Sequence, residues 1–274
     1  MQNKKTLNAI MRTPIILVIL LVYLAPFYIL TTISFKPVSD LSSYWKFPSV
    51  LTFENFRVAI QDAGILQSLM RTAIITVCVV VLVVVISAFT AYPLARRSNK
   101  LNRFISTFVL GVMMVPPLSI LVSLYSVVVD MGGVNKYWAI ILVMLTYQLP
   151  QGIFLYTNFI RAIPKALDEA AAIDGCSPAK TFFLIILPQL KPVTTSVIIL
   201  AGINCWNDYQ FSRYILQATD MNTATLSIAS FFSQTYSDLN SAAAAAMISI
   251  LPVVVAFLFL QKYFIQGMID SAIK

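Results

Sequence analysis

Apolar runs of about 20 residues recur along this 274-residue chain, separated by short polar segments. Each is long enough to cross a hydrocarbon layer of about 30 Å, which takes roughly 20 helical residues. The windows lie at about 14–35, 69–92, 104–128, 138–159, 193–214 and 241–263, and only the fifth is interrupted, by Asn204, Trp206, Asn207 and Asp208. The runs do not alternate with period two, so barrel strands are not predicted. A spanning segment outside a closed barrel must be helical, because lipid offers its backbone no hydrogen bonds. The pattern therefore predicts an all-α polytopic membrane protein with six transmembrane helices. Pro116-Pro117 removes backbone donors inside the third window and predicts a kink there.

Composition agrees with this reading. Hydrophobic residues make up 59% of the chain and charged residues 11%, whereas a soluble domain is nearer a quarter charged. Placing the N-terminus inside puts Lys4, Lys5, Arg12, Arg96, Arg97, Lys100, Arg103, Arg161, Lys165, Lys180, Lys191, Lys262 and Lys274 on the cytoplasmic side, 13 of the 19 basic residues. The acid-free cluster from Arg96 to Arg103 weighs most, being in a short loop. Both termini are therefore expected to be cytoplasmic, with the first window a retained span rather than a cleaved leader. This bias accounts for the formal charge of +8 and argues against nucleic acid as a partner.

The polar segments are short. The longest on the expected outer side runs over about 36–67, where Thr52 with Asn55 suggests a helix cap. The Gly132-Gly133 pair predicts a tight turn, and the run 242–246 gives a small-residue surface for close helix packing. Histidine is absent, which removes His-based proton relays, zinc sites and His-activated nucleophiles. Cys78, Cys176 and Cys205 are scattered and make no disulfide framework. None of the eight glycines belongs to a phosphate loop, so any ATP must be bound by another chain. No metal site and no cofactor bound by this chain are predicted, and the protein is read as non-catalytic.

One cytoplasmic interruption, at about 160–190, has an ordered pattern. Pro164 suits the first turn of a helix, the following residues to Asp174 are strong helix formers, and Asp168 and Glu169 fall at its positive end. Gly175 supplies a left-handed terminator, and Ser177-Pro178 opens a second helix expected to run until Pro188. The first helix exposes small residues beside a carboxylate, a surface another protein can approach closely and pair with. The bland alternative is a hairpin whose Asp168, Glu169 and Asp174 are ordinary solvated charges.

Glu169-Ala170-Ala171, Gly175, Ile185 and Leu187-Pro188 together resemble the EAA loop of permease subunits of bacterial ATP-binding-cassette (ABC) importers. Ser34-Phe35-Lys36-Pro37, Ala91-Tyr92-Pro93-Leu94-Ala95-Arg96, Ile163-Pro164, Ile173-Asp174-Gly175 and Trp206-Asn207-Asp208 are similar to its carbohydrate branch, and to the maltose-permease-type smaller subunit within it. The resemblance implies a type I importer fold, with residues 1–274 as one transmembrane permease domain in a bacterial inner membrane. It implies a pathway for a sugar or oligosaccharide shared with a second homologous permease, two cytosolic ATPase subunits holding ATP and Mg, and an extracytoplasmic sugar-binding protein. Glu169, Ala170, Ala171, Asp174, Gly175, Leu187 and Pro188 would couple to an ATPase. The segment of about 223–238 would meet the binding protein, and the tail 267–274 loosely matches one that reaches the ATPases.

Polar residues within the windows supply pathway candidates: Tyr125, Tyr147, Gln148, Gln151, Asn204, Trp206, Asn207 and Asp208. Amides and carboxylates suit sugar hydroxyls, and aromatic faces suit sugar rings. The same residues also suit packing or hydrogen bonds between helices, and Asp208 suits a contact at a helix end. A stand-alone secondary transporter is the competing reading. It lacks ionisable groups near the span centres and gives the ordered cytoplasmic helix no task.

Overall fold

The computed structural model describes residues 2–232 and 238–272, with side chains described over 13–232, 238–259 and 261. In chain order the helices are α1 Gln2–Ser34, α2 Glu54–Gln61, α3 Ile65–Arg96, α4 Lys100–Met113, α5 Leu121–Asp130, α6 Tyr137–Ala162 and α7 Ala166–Ile173. They continue as α8 Pro178–Thr181, α9 Leu187–Gln189, α10 Lys191–Trp206, α11 Gln210–Ile215, α12 Ala224–Ala229 and α13 Leu239–Ala272. No β-strand occurs among the described residues.

Among the described residues, four stretches are long and apolar enough to cross a membrane as unbroken helix: Thr13–Ser34 of α1, all of α3, all of α6, and Leu239–Phe259 of α13. Six crossings result only if two bent pairs each count as one. Both corrections to the expected spans have local causes. The window 104–128 is broken, with α4 and the Pro117–Asp130 segment meeting at 95°. Each proline there disfavours helix in the residue before it, so Pro116 is extended (φ −64°, ψ 134°) and the chain re-enters as a 3-10 turn at Pro117.

The window 193–214 is also not one helix. Helix α10 ends at Trp206, and α11 restarts at Gln210. The Asp208 carboxylate fixes this restart by accepting from the Phe211 N–H (3.3 Å), the Ser212 N–H (2.8 Å) and the Ser212 hydroxyl (2.8 Å). Instead α10 is preceded by a second apolar helical stretch, Pro178–Gln189, set at 72° to it.

The chain divides into two compact units, Met1–Leu66 with Ser227–Leu251, and Gln67–Leu226 with Pro252–Lys274. In the first, Lys36 is almost fully buried, and its ammonium donates to Ser42 O (3.1 Å), Ser42 Oγ (2.9 Å) and Ser43 O (3.0 Å). A buried cation is tolerated only with such a full set of acceptors. The Asn55 side-chain amide donates to Ser34 O (2.9 Å) and Lys36 O (2.8 Å), so Asn55 spans the segment rather than completing a capping box. Thr52 accepts from the Glu54 N–H (3.1 Å), and Phe53 occupies the cap position without a capping side chain. The alanines 242–245 are buried, as a close-packing surface requires.

The second unit carries the larger apolar core. Val79, Val83 and Ala91 of α3, Tyr156 and Ile160 of α6, and Val197 and Ala201 of α10 pack together. Helices α3 and α6 approach so closely that a Cβ on Gly152 would collide with Ser87 and crowd Val83. The Tyr156 hydroxyl donates to Thr194 Oγ1 (2.8 Å), tying α6 to α10. Gly132 adopts φ +66° and makes the expected turn.

Candidate coupling site

The segment between α6 and α10 folds as a helical hairpin because its punctuation is local. Ile163 is extended (φ −74°, ψ 128°), as a residue before proline prefers, and α7 begins two residues after Pro164. At the other end Gly175 takes φ +77°. Its N–H donates to Ala172 O (3.1 Å), and the Cys176 N–H donates to Ala171 O (2.9 Å). This crossed pair is a Schellman motif and satisfies carbonyls the helix end would leave open. Ser177 then caps α8, accepting from the Lys180 N–H, with Pro178 in the first turn.

Pro188 does not end the second arm, contrary to expectation. Its missing N–H and bulky ring are absorbed by a π turn over Phe182–Ile186, where the Leu187 N–H reaches back five residues to Phe182 O. The arm continues to Gln189. Leu187 and Pro188 are both exposed.

Helix α7 presents a mixed surface. Glu169, Ala170, Ala172 and Asp174 are exposed, Ala171 is buried, and Ile173 is 86% exposed. Burying a side chain of this kind is worth about 1.5–3 kcal/mol, and Ile173 stands open beside small residues and a carboxylate.

Asp168 behaves differently from Glu169, and sequence reasoning missed its role. Its carboxylate accepts from the Tyr92 hydroxyl (2.8 Å) and pairs with the Arg96 guanidinium (2.8 Å). Arg96 also donates to Ile163 O (3.0 Å). The signal was present in Tyr92 and Arg96 of the Ala91–Arg96 motif, but their partner lies more than 70 residues along the chain.

The eight pathway candidates separate. Tyr147, Gln148 and Gln151 of α6 and Asn204 of α10 line one cavity of about 760 Å³. The Asn204 amide donates to Gln148 Oε1 (3.3 Å), and the Tyr147 ring lies 5.6 Å from Phe211. Gln148 is buried, and its Nε2 has no hydrogen-bond partner among the described residues. The other four lie elsewhere. Trp206 lines an apolar groove with Val80 and Phe257, and the Asn207 amide donates to Ile203 O (3.0 Å) at the end of α10. Asp208 makes the helix-end contact described above, and Tyr125 accepts from the Gln217 amide (3.0 Å). Residues 233–237 of the expected binding-protein contact, and residues 273–274 of the tail, lie outside the described residues.

Residues 84–270, which include both arms of the hairpin, match the family described as binding-protein-dependent transport system inner membrane component. The chain belongs to this family. Among relatives, it is 44% identical over 250 residues to the melibiose/raffinose/stachyose import permease protein MelC of Bacillus subtilis (strain 168), covering 91% of each chain. It is 31% identical to the probable starch degradation products transport system permease protein AmyC of Thermoanaerobacterium thermosulfurigenes, covering 94% of each. The multiple sugar-binding transport system permease protein MsmG of Streptococcus mutans serotype c is 29% identical over the full length of both chains. A bacterial ABC transporter involved in the import of the acidic polysaccharide alginate contains a chain of the same fold, with a TM-score of 0.80 at 19% identity, covering 95% of this chain and 98% of that one. This member of the family is thus a multi-pass inner-membrane permease of an ABC importer, with the importer-permease fold.

Proposed function

We propose that the chain passes a sugar or oligosaccharide across the membrane, in a pair with a second homologous permease. The observation that carries the solute class is likeness, along at least 91% of this chain, to permeases named for melibiose, raffinose and stachyose, for starch degradation products and for multiple sugars. An extracytoplasmic binding protein delivers the solute. Two cytosolic ATPase subunits hold ATP and its Mg²⁺, and this chain binds neither. Both termini face the cytoplasm, and each bent helix pair makes one of six crossings.

In this reading α7 docks on an ATPase. Glu169 pairs with a basic side chain, Ala170 keeps the exposed face slim enough for close approach, Ala171, buried in this chain rather than facing the ATPase, seats the helix, and Ile173 fills an apolar pocket. Asp174 and Gly175 end the helix sharply, and Leu187 and Pro188 shape the second arm. The amides of Gln148, Gln151 and Asn204, with Tyr147, offer hydrogen bonds to a hydroxylated solute. Trp206, Asn207, Asp208 and Tyr125 serve the fold instead, since their contacts are helix ends and packing.

The decisive experiment is uptake of labelled raffinose into proteoliposomes holding both permeases, the binding protein and the ATPases. Uptake should require ATP and all four components. Uptake driven by an ion gradient with no ATPase present would overturn the reading in favour of a secondary transporter.

A further inference from the structure

Both arms of the hairpin grip the same face of α3. Phe89, Tyr92 and Arg96 follow one another at three- and four-residue intervals, which aligns them along one helical stripe. Arg96 and Tyr92 hold the first arm through Asp168, each at 2.8 Å, and Arg96 also holds Ile163 O just before that arm begins. Phe89 and Tyr92 hold the second arm, their ring centroids each 5.2 Å from that of Phe182, with Phe89 also 5.5 Å from Phe183. The ion pair is largely shielded, with side-chain exposures of 10% for Arg96 and 20% for Asp168. A shielded charge pair resists separation, because parting it strands both charges away from water.

Displacement of α7 reaches α6 and α10 through the chain itself, since α7 lies between them in sequence. It reaches α3 only through side chains. We propose that Arg96, Asp168 and Tyr92 are positioning residues that make α3 move as one body with α7, so that force received by the hairpin enters a third long apolar helix. The proposal rests on the reading of α7 as the ATPase-docking helix.

The test uses the assembled complex and three readouts: retention of the ATPases on purification, binding-protein-stimulated ATP hydrolysis, and raffinose transported per ATP. Asp168→Asn should keep the ATPases bound and lower the sugar-to-ATP ratio about tenfold, and the swap Arg96→Asp with Asp168→Arg should recover part of it. A wild-type ratio in Asp168→Asn overturns the joint, as does loss of ATPase retention, which would assign Asp168 to the docking surface itself. Failure of the unmodified complex to retain any ATPase would instead sink the docking reading.

A second measurement separates a rigid joint from a simple structural brace. With Cys78, Cys176 and Cys205 replaced by alanine, Arg96→Cys and Asp168→Cys are bridged by a short thiol crosslinker. Transport in the bridged complex should recover relative to the unbridged pair, because the joint stays closed throughout the cycle. Inhibition by the bridge overturns the proposal.

Discussion

The hairpin around α7 and the cavity lined by α5, α6 and Asn204 both set polar residues against apolar helices, and they treat them in different ways. In the hairpin the buried charge is paired, Asp168 with Tyr92 and Arg96, and the carbonyls of Ala171 and Ala172 have the Cys176 and Gly175 N–H groups, while Arg96 Nε is left without a hydrogen-bond partner. What is left open on its surface is mixed, with Ile173 beside Glu169 and Asp174. In the cavity the walls are mostly apolar and what is left open is polar, the buried Gln148 Nε2. Ile173 beside Ala170, Ala172 and Glu169 offers a protein partner a mixed apolar and charged surface. An unsatisfied amide in an apolar cavity calls for a hydrogen-bonding guest. The two regions thus suit the two partners an importer permease meets, an ATPase and a solute.

The contrast yields predictions of decreasing size. Ile173→Asp puts a charge where apolar burial is needed, and should abolish ATPase retention in co-purification while the chain still inserts; retention at the normal level would break the hairpin half of the comparison. Gly175→Leu forces a branched side chain into the left-handed region, at about 1–2 kcal/mol, and should lower ATP-driven uptake with insertion intact; unchanged uptake would show that the sharp turn is dispensable. Gln148→Leu should change thermal stability in detergent little, by about 1 kcal/mol or less, because the lost Nε2 has no partner and the Asn204 amide that loses Oε1 is exposed. The same variant should weaken raffinose uptake severalfold with ATPase retention unchanged, and normal uptake would remove the cavity from the solute's route. Ser177→Ala should cost the least, about 0.5 kcal/mol, since its capping bond to the Lys180 N–H is long at 3.4 Å.

The regions also differ in how far they were legible in the sequence. Pro164, Gly175 and Ser177-Pro178 act within a few residues of themselves, so the turn between the hairpin's helices falls where the spacing predicts. Helix α7 at Ala166–Ile173 lies inside the expected stretch. The Asp168 partnership was hidden because it depends on which face of α3 the hairpin meets, and sequence periodicity does not carry that. The break at Pro116-Pro117 was visible in place and underestimated in size, since two successive prolines turned a kink into a 95° bend. The helix-end contact of Asp208 was among the readings the sequence allowed, but the window 193–214 was drawn through it as one span, where its three hydrogen bonds begin a new helix. The pathway candidates fared as polar residues in apolar helices often do. Four share a cavity, and the others are spent on helix ends and packing.

In the proposed importer, α7 is the surface that an ATPase touches. A cysteine at position 173, in a chain otherwise free of cysteine, tests this most directly when the assembled complex is treated with a short thiol-to-amine crosslinker. Docking by α7 predicts a covalent adduct with the ATPase subunit whose yield changes on adding ATP. An active complex that gives no adduct in either state would contradict it.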